Sequence, residues 1–165
     1  MDIHIFWEGP FSLDEIVEIN NKDRDYGVYQ IYGHHPLYGN SVLLYVGLVQ
    51  FQTFGKRIPQ EEWNDRPDHQ NTQIYVGRLA GRNKITNDEW DKQIELAEKL
   101  LIYAHKPVFN TQNTKSLPEE DVLENRIYNW SSHRDLFPEV SGSRFTSRFD
   151  HIGEEHIYSL PKASD

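Results

Sequence analysis

The sequence contains no cysteine among its 165 residues, so disulfide bonds, thiolate metal sites and a cysteine nucleophile are excluded. No apolar run approaches the length of about 18 residues that a membrane-spanning helix needs. The first eight residues lack the basic and then apolar order of a signal peptide. We therefore expect a cytoplasmic protein without a membrane partner.

Signatures of several enzyme classes are missing as well. The sequence has neither a glycine-rich phosphate loop nor the Gly-x-Ser-x-Gly turn of serine hydrolases. Its histidines include His34, His35, His151 and His156, whose spacing matches no metal-binding pattern. These residues are expected to be solvated loop side chains.

Basic residues are in the minority, with 17 against 26 acidic residues and a formal net charge of −9. Nucleic-acid-binding domains are usually basic, so this total argues against that class. The charge is unevenly distributed, because residues 50–84 hold six basic and four acidic residues and residues 85–124 hold four basic and nine acidic ones. A local basic surface is therefore compatible with an acidic protein.

Hydrophobic residues (37%) and aromatic residues (13%) are frequent enough for a single domain over residues 1–165. Runs of β-branched and aromatic residues predict strands over 27–32, 42–47 and 73–79, the first two as an antiparallel hairpin. Helices are predicted over 13–20, 53–65 and 87–105, two of them behind capping boxes at Ser12 and Thr86. We therefore predict an α+β fold with a small three-stranded, mainly antiparallel sheet flanked by helices, and a C-terminal extension over 111–165.

The predicted helix 87–105 carries one carboxylate in an unusual position. Residues three and four apart share a helix face, and Glu95 lies on a charged face beside Lys99. Glu98 instead has apolar neighbours, Ile94, Leu101 and Ile102. A carboxylate on such a face loses hydration unless a cation or a basic partner compensates. Glu98 is therefore either such a site or a side chain at the rim of the core.

Several short segments occur in a recognisable order. They are Gly27-Val28-Tyr29, Tyr45-Val46-Gly47, Thr53-Phe54-Gly55-Lys56-Arg57-Ile58 and the block Glu98 to Asn110, which includes Leu101-Ile102 and Pro107-Val108-Phe109-Asn110. Together they resemble the GIY-YIG endonuclease family, and the last block resembles the N-terminal nuclease domain of the excinuclease C subunit. The resemblance covers residues 26–110. Two departures are an implied insertion at Gln50–Gln52 and Leu48 in place of a common basic residue.

This resemblance implies a metal-dependent endonuclease that hydrolyses phosphodiester bonds in DNA. It implies that Tyr29, Tyr45, Arg57 and Glu98 are catalytic, with Glu98 the ligand of Mg²⁺ or another divalent cation such as Mn²⁺. Tyr29 would orient or deprotonate the attacking water, and Tyr45 would hydrogen-bond the nucleophile or the phosphate. Arg57 would hold phosphate oxygens by a forked pair of hydrogen bonds. Supporting roles are expected for Gly47, His105 and Asn110.

The expected DNA contacts are the basic residues Lys56, Arg78, Arg82 and Lys84. They should lie on the face that carries the site, and the acidic segment 85–124 should turn away from it. The four catalytic side chains should converge on one concave surface. Specificity is expected to come from a homo-oligomer or from a targeting partner protein.

Two other functions stay open at this point. The first is a catalytically inactive module of the same family that binds nucleic acid or protein, although all four catalytic residue types are present. The second is a structural or inhibitory protein whose acidity repels or mimics nucleic acid. The second alternative requires the basic residues to be scattered rather than gathered near Arg57.

Overall fold

The computed structural model describes residues 1–61, 63, 71–115 and 120–145. Part of the predicted helix 53–65, part of the predicted extension 111–165 and both His151 and His156 lie outside the described residues.

Six strands and four helices follow one another in the described chain. The strands are β1 (Asp2–Phe11), β2 (Gly27–His35), β3 (Gly39–Val49), β4 (Gln73–Ala80), β5 (Arg126–Ser131) and β6 (Glu139–Ser141). The helices are α1 (Leu13–Ile16), α2 (Phe54–Arg57), α3 (Asn87–His105) and α4 (Glu120–Leu123), with 3-10 turns at Ile58–Glu61 and Gly142–Phe145. None of these helices is long and apolar enough to cross a membrane.

The strands form one mixed sheet, a half-barrel with the order β3-β2-β4-β1-β5-β6. Neighbouring strands are antiparallel except for the pair β1 and β5, which is parallel. The predicted hairpin is present as β2 and β3, with Tyr29 opposite Gly47.

The predicted fold class is wrong. The three predicted strands exist as β2, β3 and β4, but they make up only half of a six-stranded sheet. The helices do not flank that sheet on the predicted scale, since α1, α2 and α4 have four residues each and only α3 is long, with 19. Strand β1 was missed although its buried Ile3 and Ile5 alternate with polar or exposed residues, as in a half-buried strand, because its partners β4 and β5 are remote in sequence and no hairpin links them to it.

Hydrophobic side chains cover both faces of the sheet. On one face α3 packs through Ile94, Ala97 and Leu101 against residues that include Ile5 and Val46. The opposite face is covered by α1, α2 and the turn after α2, in a cluster that includes Ile16, Tyr29, Ile31, Phe54 and Ile58. The described part of the predicted extension belongs to the same domain, because Ile127 and Val140 join the α3 cluster.

Helix α3 is the element that the sequence predicted best. Its bounds agree with the predicted range, and Thr86 and Glu89 form the expected capping box. It ends at Lys106, a left-handed residue with φ of 50°, directly before Pro107. The buried stripe along α3 fixes its rotation, and this rotation determines where Glu98 points.

Candidate active site

A pocket of about 260 Å³ lies where the chain leaves the end of β3. Its walls contain Tyr29, Tyr45, Arg57 and Glu98, together with Leu48, Val49, Gln50, Phe51 and Gln52. The four side chains come from β2, β3, α2 and α3. The structure thus brings together all four residues that the resemblance marked as catalytic.

The two tyrosines are neighbours on adjacent strands, and a glycine makes room for them. Their ring centroids are 6.0 Å apart, and Tyr29 is almost completely buried. Gly47 lies opposite Tyr29, and a Cβ atom there would stand 2.6 Å from the Tyr29 hydroxyl and 2.7 Å from the Tyr45 ring. Gly47 therefore supports the site by leaving space for both rings.

Glu98 approaches the pocket from the other side of the sheet. Helix α3 packs on the face opposite to the Tyr29 cluster, yet Glu98 and Tyr29 line the same pocket. They meet because β3 is the edge strand and the pocket lies at its end. The nearness has an electrostatic effect, since the negative charge of Glu98 contributes to the raised pKa of both Tyr29 and Tyr45.

Glu98 is a poorly compensated carboxylate. It has no hydrogen bond and no ion pair with any described residue. Burial raises the pKa of Glu98 to about 7, with a smaller raising effect of Glu95 and an opposing effect of Lys99. A group held this far from its ordinary titration range, in a cleft, is a candidate functional residue.

The donor set suits a hard cation held by few protein ligands. Among the described residues no group of three or more His, Asp or Glu side chains could hold a metal ion. Mg²⁺ is commonly bound through one or two carboxylates and keeps several waters, whereas structural zinc needs more protein ligands. Glu98, whose carboxylate has no hydrogen-bond or ion-pair partner in the described part of the chain, lines an open pocket and fits the first arrangement.

Arg57 is held in place by a neighbouring acid that the sequence analysis did not single out. Its guanidinium forms an ion pair with Glu61 one helical turn later, and both side chains are partly exposed. An arginine in this state still has donors free to bind a phosphate, because a guanidinium has five N–H groups. The i,i+4 spacing of Arg57 and Glu61 was the signal in the sequence that could have revealed the pair.

The tyrosine hydroxyls are neutral in this environment. Burial raises the pKa of Tyr29, and Tyr45, Glu61 and Glu98 raise it further, while Arg57 opposes them. Burial also raises the pKa of Tyr45. The chain itself thus favours hydroxyl groups that orient a water or a phosphate oxygen, and it disfavours the proton-abstracting role expected for Tyr29 as one option.

Asn110 bonds the strand that carries Tyr45. Its side-chain Oδ1 accepts from the Val46 backbone N–H at 3.0 Å, and its Nδ2 donates to the Val46 carbonyl at 2.9 Å. Val46 stands between Tyr45 and Gly47 in β3. Asn110 therefore fixes the strand that presents Tyr45 to the pocket.

His105 does not reach the pocket. Its Nδ1 bonds the Leu101 carbonyl at 2.9 Å, and its Nε2 accepts from the Phe137 backbone N–H at 2.9 Å. Burial lowers the pKa of His105, so the neutral ring with Nδ1 as the donor satisfies both contacts. Its role is to fasten the segment before β6 to the end of α3, which replaces the supporting role expected for it at the site.

The four basic residues expected to contact DNA are scattered. Arg78 forms ion pairs with Glu8 and Asp25, and its side chain is only 16% exposed. Arg82 and Lys84 are exposed in the segment between β4 and α3, and neither lines the pocket. Lys56 is the exception, since it lines a second concavity that shares Gln50, Phe51 and Gln52 with the candidate site.

The acidic segment does not turn away from the site as expected. Glu95 accepts a hydrogen bond from the Gln50 side chain at 3.0 Å, and Gln50 lines the pocket. Asp91 lines a further concavity that also contains Gln50 and Phe51. The pocket therefore has an acidic border along α3 and a basic one near Lys56.

A larger concavity, of about 480 Å³, lies at the opposite end of the hairpin. Its polar side chains are engaged locally, since Glu15 and Ser12 form a capping box and His34 bonds Asn40 at 2.8 Å. The hydrogen bonds with Ser12 lower the pKa of the Glu15 carboxyl in this concavity. The smaller pocket at the end of β3 is the better candidate because it combines an arginine with a carboxylate that no described residue pairs with.

A comparison of the chain with family models, curated proteins and solved structures finds no match. The likeness to GIY-YIG endonucleases thus depends on the ordered motif residues.

Proposed function

We propose that the protein is a metal-dependent endonuclease that hydrolyses DNA phosphodiester bonds in the pocket at the end of β3. The single observation that supports this most is the meeting of Tyr29, Tyr45, Arg57 and Glu98 around one concavity. These residues come from segments up to 69 positions apart, and each supplies a group that phosphodiester hydrolysis requires. The cytoplasm is the proposed compartment.

Hydrolysis of a phosphodiester needs stabilisation of the charge that develops on the phosphate oxygens and an oriented water. A divalent cation, Mg²⁺ or Mn²⁺, would supply Lewis-acid polarisation of a phosphoryl oxygen and a more acidic water. Glu98 is the residue that would hold it, and the held cation in turn favours the charged carboxylate. Arg57 would bind phosphate oxygens directly through its guanidinium N–H groups.

The neutral tyrosine hydroxyls complete this arrangement. Each can donate one hydrogen bond to a phosphate oxygen and accept one from a water. Because burial raises the pKa of Tyr29, its hydroxyl keeps the proton and orients the water instead of removing its proton. The restricted space around Gly47 holds both rings in one arrangement, which limits the reorganisation needed during the reaction.

The size and openness of the pocket favour a polymer over a small free ligand. Its volume of about 260 Å³ lies below the range of about 300–1,000 Å³ typical of sites that enclose a drug-sized molecule. One phosphate group of a nucleic-acid strand fits such a site, with the rest of the strand extending out of the pocket on both sides. The neighbouring concavity with Lys22 and Lys56 offers positive charge for a further phosphate.

A protein-interaction module without catalysis is the second candidate, and two observations favour it. The guanidinium of Arg78 is engaged in ion pairs with Glu8 and Asp25, and Arg82 and Lys84 do not line the pocket. The positive electrostatic potential expected at a DNA-binding site is therefore weak. Asp91 and Glu95 also lie close to Gln50. Such a module would bind without Mg²⁺-dependent turnover.

The deciding experiment compares two chemically identical substitutions on one helix. Purified wild type, Glu98→Gln and Glu95→Gln are incubated with single-stranded, duplex and branched DNA, with Mg²⁺ or with EDTA. We expect Glu98→Gln to abolish Mg²⁺-dependent cleavage while DNA binding stays near normal, and Glu95→Gln to cleave like the wild type. Equal cleavage by both variants, or loss of activity only in Glu95→Gln, would disprove the assignment of Glu98. Absence of both DNA binding and cleavage in the wild type would favour the second candidate, whereas DNA binding without any cleavage would indicate an inactive nucleic-acid-binding module.

A further inference from the structure

The insertion that separates β3 from α2 carries a conspicuously exposed aromatic ring. The side chain of Phe51 is 91% exposed, more than any other large hydrophobic residue of the described chain. A single exposed apolar residue is common on protein surfaces and implies nothing alone. The position of Phe51 is what carries the argument.

Phe51 and Gln50 form a wall shared by three concavities. The first is the candidate active site, and the second, of about 250 Å³, is lined by Lys22, Tyr26 and Lys56 among others. The third, of about 390 Å³, contains Tyr26, Trp90 and Asp91. Phe51 therefore stands between the pocket for the reacting phosphate and a surface that carries two ammonium groups.

The charges around Phe51 define one path for a polyanion. Lys22 and Lys56 are exposed and form no ion pair with any described residue. The third concavity is lined by the negatively charged Asp91 and by Gln50, whose side chain donates a hydrogen bond to Glu95. A strand that leaves the active site is attracted toward the two lysines and repelled from the α3 side.

In a nucleic acid each phosphate joins two nucleosides, so a base adjoining the bound phosphate is within reach of the wall of the pocket. Proteins that bind single strands combine lysines along the backbone with aromatic rings on which bases stack. We infer that Phe51 is the stacking platform for an unpaired base next to the scissile phosphate, and that Lys22 and Lys56 bind the following phosphate. This inference deepens the proposed nuclease function and depends on it.

The inference specifies the class of substrate. Inside a duplex, the faces of a base are covered by its stacked neighbours, so a side chain reaches a face only where the base is unstacked. The protein therefore favours single-stranded, frayed or flap DNA over the interior of a duplex. Lys22 and Lys56 alone would not discriminate between single-stranded and duplex DNA, because both kinds of DNA present phosphates.

The test measures binding of wild type and four variants in EDTA, where cleavage does not interfere. The probes are a fluorescent single-stranded 15-residue oligodeoxynucleotide, the same strand in a duplex, and a base-free sugar-phosphate oligomer of equal charge. Phe51→Ala should weaken binding of the single strand about 5- to 150-fold, the range of one base–aromatic stack. Phe51→Trp should retain binding, and Phe51→Leu should lose it because leucine has no aromatic face.

The duplex and the base-free oligomer should bind wild type and all variants alike. Leu37→Ala is the matched control, since Leu37 is 84% exposed in the turn between β2 and β3 and lines none of the three concavities. It should bind every probe as the wild type does. If Phe51→Ala or Phe51→Leu binds the single strand as tightly as the wild type does, the inference is wrong. Such a result for Phe51→Leu would indicate an apolar contact, as with a protein partner.

The outcomes also separate this inference from the proposed function. If Phe51→Ala binds and cleaves like the wild type while Glu98→Gln is inactive, the stacking platform is refuted and the nuclease stands. If Phe51→Ala loses single-strand binding but the wild type never cleaves, the nucleotide-binding surface stands and the nuclease is refuted. If the wild type binds none of the probes in EDTA and cleaves no DNA with Mg²⁺, both are refuted.

Discussion

Replacing Glu98 by glutamine should make the protein more stable at alkaline pH and leave it unchanged at acidic pH. Burial raises the pKa of this carboxyl to about 7, from a value of 4.5 in an open chain. Between these two values the unfolded state has lost the proton that the folded state retains, so folding stability falls as the pH rises and is constant above the upper value. Glutamine keeps the size of the protonated side chain and has no charge to desolvate.

The magnitude follows from the difference of the two pKa values. About 2.5 pKa units correspond to about 3 kcal/mol of unfolding free energy at pH 8 and above. Because Glu98 is only partly buried, we expect a gain of about 1–3 kcal/mol, which in a domain of this size raises the melting temperature by roughly 3–10 °C. Urea and thermal unfolding of both proteins at pH 4, below both pKa values, and at pH 8 measure this gain.

Glu95→Gln is the matched control for stability as well. Glu95 is exposed and keeps a partner in Gln50, so its replacement should change stability by less than about 0.5 kcal/mol at either pH. Mg²⁺ supplies a second comparison, because a cation at ten times its dissociation constant stabilises a folded protein by about 1.4 kcal/mol. It should do so for the wild type and not for Glu98→Gln. A pH-independent difference between wild type and Glu98→Gln, or equal stabilisation of both by Mg²⁺, would refute the reasoning.

Three further changes test other parts of the site. Gly47→Ala should lower the free energy of unfolding by about 1–3 kcal/mol and remove most of the activity, because the new methyl group collides with both tyrosine rings. In Gly81→Ala the methyl group meets open space, so this control should unfold and cleave as the wild type does. Glu61→Gln should break the ion pair with Arg57 and lower KM for DNA by about 1.5- to 5-fold at low salt, which corresponds to the free energy of one exposed ion pair. A raised KM would show that Glu61 itself assists binding. His105→Ala should lower the free energy of unfolding by about 1–2 kcal/mol without changing kcat, because two hydrogen bonds are lost. This loss of stability should shrink as the pH falls below 6.5, because the lowered pKa of His105 keeps the ring neutral only in the folded state. A pH-independent loss in unfolding assays would contradict this explanation.

The candidate site was more predictable from the sequence than the fold. Glu98 was recognisable because its neighbours three and four residues away are apolar, and helical spacing is local information. Tyr29, Tyr45 and Arg57 were placed by the order of short motifs along the chain. Each of these signals lies within a few residues of the side chain that it identifies.

The errors concern partners that are distant in the sequence. Strand β1 pairs with β4 and β5 only in the folded chain, so its local alternation of buried and exposed residues did not show which strands it would join. Arg78 looked like a DNA contact until Glu8 and Asp25, from two other segments, proved to be its partners. Basic residues counted along a chain therefore overestimate the positive surface that remains after folding.

The chain that follows α3 covers the middle of edge strand β3. The backbone N–H groups of Val108 and Phe109 bond the carbonyls of Leu43 and Leu44, and the Asn110 amide bonds both backbone groups of Val46. An uncovered border of this kind is a template for pairing with strands of other molecules. The Asn110 side chain acts there as a one-residue substitute for a seventh strand, so the group that steadies Tyr45 also protects the protein from self-association through β3.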